Sequence, residues 1–140
     1  MRAIVLFFML VSILPSAETT KKKVDGFEFF QIELNIIKKT NNERARHGLE
    51  KLTVDHQLMQ QARRHAIWMA QHRVLQHGHD IVAENIAMGQ TTSTEAVQDW
   101  MRSPGHRANI LAQKHGKIGV AAYKAADGRI YWCQQFSPAL

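Results

Sequence analysis

The chain has 140 residues, of which 45% are hydrophobic, and it carries a formal net charge of +6. This length allows one domain with a substantial core and excludes two domains of ordinary size. The basic residues are mixed with acidic ones, so a solvated surface is expected; attraction to an anionic envelope polymer or lipid headgroup is the alternative, and nucleic acid is disfavoured.

The N-terminal residues have the layout of a secretory signal peptide. Arg2 is followed by an uncharged apolar run over residues 3–14 and then by a short Pro-Ser-Ala sequence. The run is too short to span a membrane comfortably. We therefore expect residues 1–17 to be a signal peptide and residues 18–28 to be a linker. The remainder should be secreted, periplasmic or extracellular, with no transmembrane segment.

Two helices are predicted next. Apolar residues recur at helical spacing from Phe29, and this helix should stop at the His-Gly pair of residues 47–48. Asp55 can cap a second helix that runs to about Val74. The buried face of this second helix would consist of Leu58, Ala62, Ala66, Met69 and His65.

The second half of the chain changes from helical to strand periodicity. Residues 76–90 contain little periodicity and are predicted as a loop with a short strand or helical turn. A capping box at Thr92 and Glu95 starts a helix through Trp100, and Ser103 as N-cap starts another through Leu111. Two alternating segments at residues 118–123 and 130–136, joined by an Asp-Gly turn, predict an antiparallel hairpin. The fold class is therefore α+β.

Four segments resemble the CAP superfamily, which includes the cysteine-rich secretory proteins, antigen 5 and pathogenesis-related 1. They are NNERARHGL at residues 41–49, LQHGHDIVAENIAMG at 75–89, AVQDWMRSPGHRANIL at 96–111, and the IGVAAY and IYWCQQF strands. The resemblance implies a CAP (SCP-like) domain over residues 29–140, with a three-layer α-β-α sandwich and a small antiparallel sheet. Because Cys133 is the only cysteine, no internal disulfide can form, which favours the bacterial type.

The resemblance also implies a ligand cleft built from separate segments. His77, Glu84 and His106 match the family's first histidine, its Glu-Asn motif and its second histidine. Ser103 stands where the family has a second glutamate, and Ala83 where it usually has glycine. His77 and His106 are the candidate ligands for zinc or another divalent metal, with no other cofactor expected. The alternative is a structural cluster in which these groups hydrogen-bond one another.

Several other polar or reactive residues have simpler interpretations. His79 is expected to be an exposed loop residue, and His65 and His72 are expected at the core or its boundary. Asn85 would anchor its loop through its side-chain amide. Cys133 is expected to be a small buried hydrophobe rather than a reactive thiol.

Two functions from different classes follow from these residues. The preferred one is a non-enzymatic binding module for a metal ion, a small apolar ligand, a lipid or an envelope component, and we expect a monomer. The alternative is a metal-dependent, protease-like hydrolase with Glu84 as general base. Glu95 and Asp99 are the candidates for its missing second carboxylate, although Asp99 is expected to point elsewhere.

Overall fold

The computed structural model describes residues 20–139, and the predicted signal peptide lies outside this range. The elements in chain order are β1 (Lys21–Val24), β2 (Phe27–Phe30), α1 (Gln31–Arg46), β3 (Thr53–Val54), α2 (His56–His72), β4 (Ala83–Met88), α3 (Ser93–Arg102), α4 (Pro104–Ile110), β5 (His115–Lys124) and β6 (Ile130–Pro138).

The central sheet has the strand order β3-β5-β6-β4. The predicted hairpin of β5 and β6 is confirmed, and Gly128 takes a positive φ of 87° in its turn. Strand β4 pairs antiparallel with β6, whereas β3 pairs parallel with β5. The sheet is therefore mixed rather than wholly antiparallel, because the short β3 enters between two helices and runs alongside β5.

Helices cover both faces of this sheet, as the period-two alternation of β6 requires. Trp132 and Phe136 pack in a cluster with side chains from α1, α3 and α4. Tyr131 and Cys133 point to the other face, where they pack with the small residues of α2 and with Met69. The three-layer α-β-α sandwich is thus observed.

Helix α2 begins at its predicted cap and ends two residues before the predicted end near Val74. The side chain of Asp55 accepts a hydrogen bond from the backbone of Leu58 at 2.9 Å. The helix ends at His72, and Arg73 closes it in the left-handed region with a φ of 53°. The predicted buried positions are buried, and His65 lies at the boundary of the core.

Three predicted features differ from the structure. The segment predicted as a linker contains β1 and the first half of β2, which pair as a hairpin. Helix α1 therefore begins at Gln31 rather than at Phe29, which is a buried residue of β2. Residues 83–88 form a full strand, although their sequence shows little periodicity. Their backbone groups are hydrogen-bonded to β6. Ser103 is the N-cap of α4, but its hydroxyl makes no capping bond. It also closes α3, with its N–H donating to the carbonyl of Trp100 at 3.2 Å.

A single buried arginine ties three segments together. Arg44 is 1% exposed and donates to four carbonyl oxygens, those of Glu50, Ile110, Ala112 and His115, at 2.8 to 3.2 Å. Glu50 lies after α1, Ile110 and Ala112 lie at and after the end of α4, and His115 is the first residue of β5. The guanidinium suits this position because its five donors lie in one rigid plane.

Strand β5 and helix α2 approach each other very closely at Gly119. A Cβ built on this glycine would lie 2.2 Å from the carbonyl carbon of Leu58. No larger residue fits without moving the helix away from the sheet. Within residues 20–139, no helix combines the length and the apolar character needed to cross a membrane.

Candidate functional site

The candidate site lies along β4, an outer strand of the sheet, between the two helical layers. His77 belongs to the segment that connects α2 to β4, Glu84 lies near the start of β4, and His106 lies in α4. Glu84 stands opposite Gln135 of β6, so its side chain projects toward the α2 layer. Asn85, the next residue, projects to the opposite face.

Glu84 is the centre of the hydrogen bonds at this site, with only 7% of its side chain exposed. Its Oε1 accepts from the backbone N–H of Gly78 at 3.0 Å and contacts His77 Nδ1 at 2.9 Å. Its Oε2 accepts from the side-chain amide of Gln135 at 2.9 Å and from the thiol of Cys133 at 3.7 Å. Both oxygens are therefore engaged.

These contacts keep Glu84 ionised despite its burial. Burial alone would raise the pKa of the carboxyl, but the hydrogen bonds from Gln135, Gly78 and His77, together with the nearby His65, outweigh it and hold the pKa below its usual value. An ionised carboxylate only accepts hydrogen bonds. The proton of the bond with His77 is therefore on Nδ1 of the imidazole.

This proton position determines what His77 can do. With Nδ1 donating to Glu84, Nε2 is the nitrogen that can offer a lone pair to an ion once it has no proton. The side chain is 62% exposed, so the ring is open to a partner from outside. A carboxylate that holds one imidazole nitrogen and leaves the other for an ion is the usual support of a metal-binding histidine.

His106 is half-buried and held from its backbone. Its carbonyl accepts from the amide of Asn85 at 3.1 Å, and Asn85 also bonds Gln134 at 3.0 Å and Asn109 at 2.9 Å. Asn85 thus anchors this strand to α4, as predicted. Burial, and then the charge of nearby His77, lower the pKa of His106, so its ring is neutral at neutral pH.

The candidates for a second carboxylate lie elsewhere. Asp99 is exposed and accepts from the side chain of Gln90 at 2.9 Å. Glu95 is also exposed and accepts from the backbone and hydroxyl of Thr91. Asp99 thus points away, as expected, and neither residue joins the bonds of Glu84. Within the described range, no three His, Cys, Asp or Glu side chains converge as a metal-binding group.

A groove of about 360 Å³ opens beside His77, toward the α2 layer. One wall is the α2 face that carries Gln61, Arg64, His65 and Trp68, and the other is the segment of residues 76–80. Of the residues predicted to share one cleft, only His77 lines this groove. Glu84 lies behind it, and His106 and Ser103 lie outside its lining.

Two supporting residues could not be recognised from the sequence. His65 Nε2 contacts the carbonyl of Gln76 at 2.7 Å and lies 3.9 Å from Glu84 Oε1. Gln135 reaches Glu84 only because β6 and β4 pair in this register. The helical spacing placed His65 at the core boundary, but nothing local indicated that it holds the segment carrying His77.

The fold is matched by known proteins. The profile of the Cysteine-rich secretory protein family matches residues 37–136. The chain belongs to this family, the CAP superfamily.

The similarities to individual proteins cover most of this chain. "Uncharacterized protein YkwD" of Bacillus subtilis (strain 168) is 32% identical in an alignment 121 positions long, which covers 74% of this chain and 46% of that protein. The chain therefore spans about half the length of this curated relative. An extracellular protein containing a SCP domain from Bacillus anthracis str. Ames is 27% identical with a TM-score of 0.68, over 76% of this chain and 40% of that one. The protein in the "Crystal structure of NaASP2 with Zn2+" is 16% identical in sequence, with a TM-score of 0.65 over 78% of this chain and 80% of that one. This similarity shows a shared fold.

Proposed function

We propose that this protein is an exported, non-enzymatic CAP-domain binding module in which His77 and His106 hold a divalent transition metal. The observation that carries the proposal is the 2.9 Å contact between His77 Nδ1 and the buried carboxylate of Glu84. This contact fixes the tautomer and leaves Nε2 free for a partner. The extracellular relative and the predicted signal peptide support export.

The residues present suit zinc or a similar ion. Imidazole nitrogens are suitable ligands for such an ion, and the lowered pKa of His106 reduces competition from protons at that ring. Two protein ligands leave the remaining positions to water or to a bound molecule, where the ion would polarise an oxygen. The structure of NaASP2 with Zn2+ supports zinc as the ion to test first.

Binding is favoured over hydrolysis by the state of Glu84. Both of its oxygens already accept hydrogen bonds, so it is better suited to position His77 than to take a proton from water. The place of the family's second glutamate holds Ser103, which cannot act as a carboxylate. The bound molecule, whether a small apolar ligand, a lipid or an envelope component, would complete the site.

Calorimetric zinc titration of the purified protein tests this proposal. We expect wild type to bind zinc, and the His77→Ala and His106→Ala variants each to lose most of this affinity. His47→Ala is the matched control, because His47 is exposed and bonds Glu43 and Arg107 instead. Zinc binding that is absent in wild type, or unchanged in both site variants, would overturn the proposal.

A further inference from the structure

We propose that the groove between α2 and residues 76–80 binds a short saccharide. This goes beyond the metal site: the groove shares His77 with that site but not His106. Its volume of about 360 Å³ is within the range of small-molecule sites. The argument rests on the rigidity of its walls, its single exposed tryptophan and the polar groups around it.

Both walls of the groove are fixed before any ligand arrives. The segment of residues 76–80 is held at the Gln76 carbonyl by His65, and at Gly78 and His77 by Glu84. The facing wall is one side of a regular helix. A preformed groove avoids the entropic cost of ordering a loop during binding, and this cost is a major loss for weakly bound polar ligands.

Trp68 gives the groove an aromatic surface that is itself held rigid. Its indole stacks on His72 with ring centroids 4.5 Å apart and on His65 at 5.9 Å, yet it remains 36% exposed. The other two tryptophans, Trp100 and Trp132, are buried in the core. An exposed indole fixed in this way presents apolar area at little entropic cost.

The groups around Trp68 are polar and of both charge signs. Arg64 and Asp80 line the groove and are exposed, and neither forms an ion pair with any residue in the range 20–139. The side chains of Gln61 and Gln76 add amide groups that both donate and accept. The lining therefore offers several planar hydrogen-bonding groups around one aromatic surface.

A pyranose ring matches this arrangement. Its C–H groups can pack on the part of the indole that His65 and His72 leave exposed. Its hydroxyls, which both donate and accept, can bond Arg64, Asp80 and the amides. A lipid chain would leave Arg64 and Asp80 desolvated without partners. An extended peptide is commonly bound by a free strand edge, and this groove is formed by a helix and a held loop instead.

Tryptophan fluorescence with soluble oligosaccharides tests the inference, because Trp68 is the one exposed tryptophan of the described range. The probes are cellobiose and the di- and trisaccharides of N-acetylglucosamine, each titrated into the purified protein. We expect saturable changes in emission and protection from acrylamide quenching. Trp68→Ala and Arg64→Ala should each weaken binding at least tenfold, as measured by calorimetry.

The controls separate this inference from the metal proposal. Tyr123→Ala removes another exposed aromatic outside the groove and should bind the saccharide normally. His106→Ala should lose zinc but keep the saccharide, and Trp68→Ala should do the reverse. Trp68→Phe, which keeps an aromatic ring, should retain part of the affinity. The inference is overturned if no saccharide of the panel binds, if Trp68→Ala binds as well as wild type, or if only peptides or phospholipid vesicles bind.

Discussion

Replacing Glu84 with glutamine tests the central claim about the site, because glutamine has the same shape but no charge. One amide oxygen can still accept from both His77 and Gly78, but the amide nitrogen would face the side-chain amide of Gln135. Gln135 can rotate its amide, since its own oxygen has no partner among the described residues. We therefore expect Glu84→Gln to lower the free energy of unfolding by about 1–3 kcal/mol. The hydrogen bond with Gln135 is rearranged, and those with His77 and Gly78 are weakened. For a domain of this size the loss lowers Tm by about 3–12 °C.

The pH dependence of this loss follows from the lowered pKa of Glu84. A carboxyl whose folded pKa lies below its unfolded value stabilises the fold above the unfolded value and loses this contribution as pH falls through the folded one. The unfolded value is near 4.5, so the difference in Tm between wild type and Glu84→Gln should be full at pH 7 and shrink below pH 4.5.

Thermal unfolding followed by circular dichroism from pH 3 to pH 8 measures both quantities. Glu50→Gln is the control, because Glu50 is exposed and only its backbone carbonyl is used, by Arg44. It should match wild type within about 1 °C, as expected for a surface change. The reasoning about Glu84 is refuted if Glu84→Gln unfolds with the wild-type Tm at pH 7, or if the difference in Tm is the same at pH 3 and pH 7.

Three further predictions concern the fold. Arg44→Met should destabilise the protein by about 3–5 kcal/mol in urea unfolding, because four carbonyls lose a charged donor; a cost below about 1 kcal/mol would contradict this. Gly119→Ala should lower the free energy of unfolding by at least about 1–3 kcal/mol in the same assay, since its methyl group would overlap Leu58. Gly105→Ala is the control and should lower it far less, because a Cβ there would have nothing within 4 Å. The Cys133 thiol, whose pKa is raised by burial and then by Glu84, should react with a thiol reagent only after unfolding, and rapid reaction of the native protein would show that the thiol is accessible.

Local patterns were sufficient to predict the elements whose signals lie close together in the chain. Helix α2 was predicted because its cap at Asp55 and its apolar spacing occur within a few turns, and the β5–β6 hairpin because its turn lies between two alternating segments. The segment that contains β4 was predicted as a loop with a short strand or helical turn, and the full strand was missed because its backbone groups pair with β6, some fifty residues later. The sequence alone does not show that register.

The same distinction applies to the candidate site. His77 and Glu84 are seven residues apart, and the family resemblance alone brought them to attention; their hydrogen bond is observed. Gln135 could not be predicted, because its contact with Glu84 depends on the order of strands in the sheet. His65 was expected at the core boundary and lies there, but its hold on the segment of residues 76–80 depends on the path of that segment back over α2.

The position of Arg44 has a consequence for the order of folding. Three of its four carbonyl partners lie 66 to 71 residues further along the chain, in Ile110, Ala112 and His115. Contacts between such distant segments carry a large loop-closure cost and form after local helices. We therefore expect Arg44→Met to accelerate unfolding far more than it slows refolding in stopped-flow experiments, so that this one guanidinium governs how long the native protein persists rather than how quickly it forms.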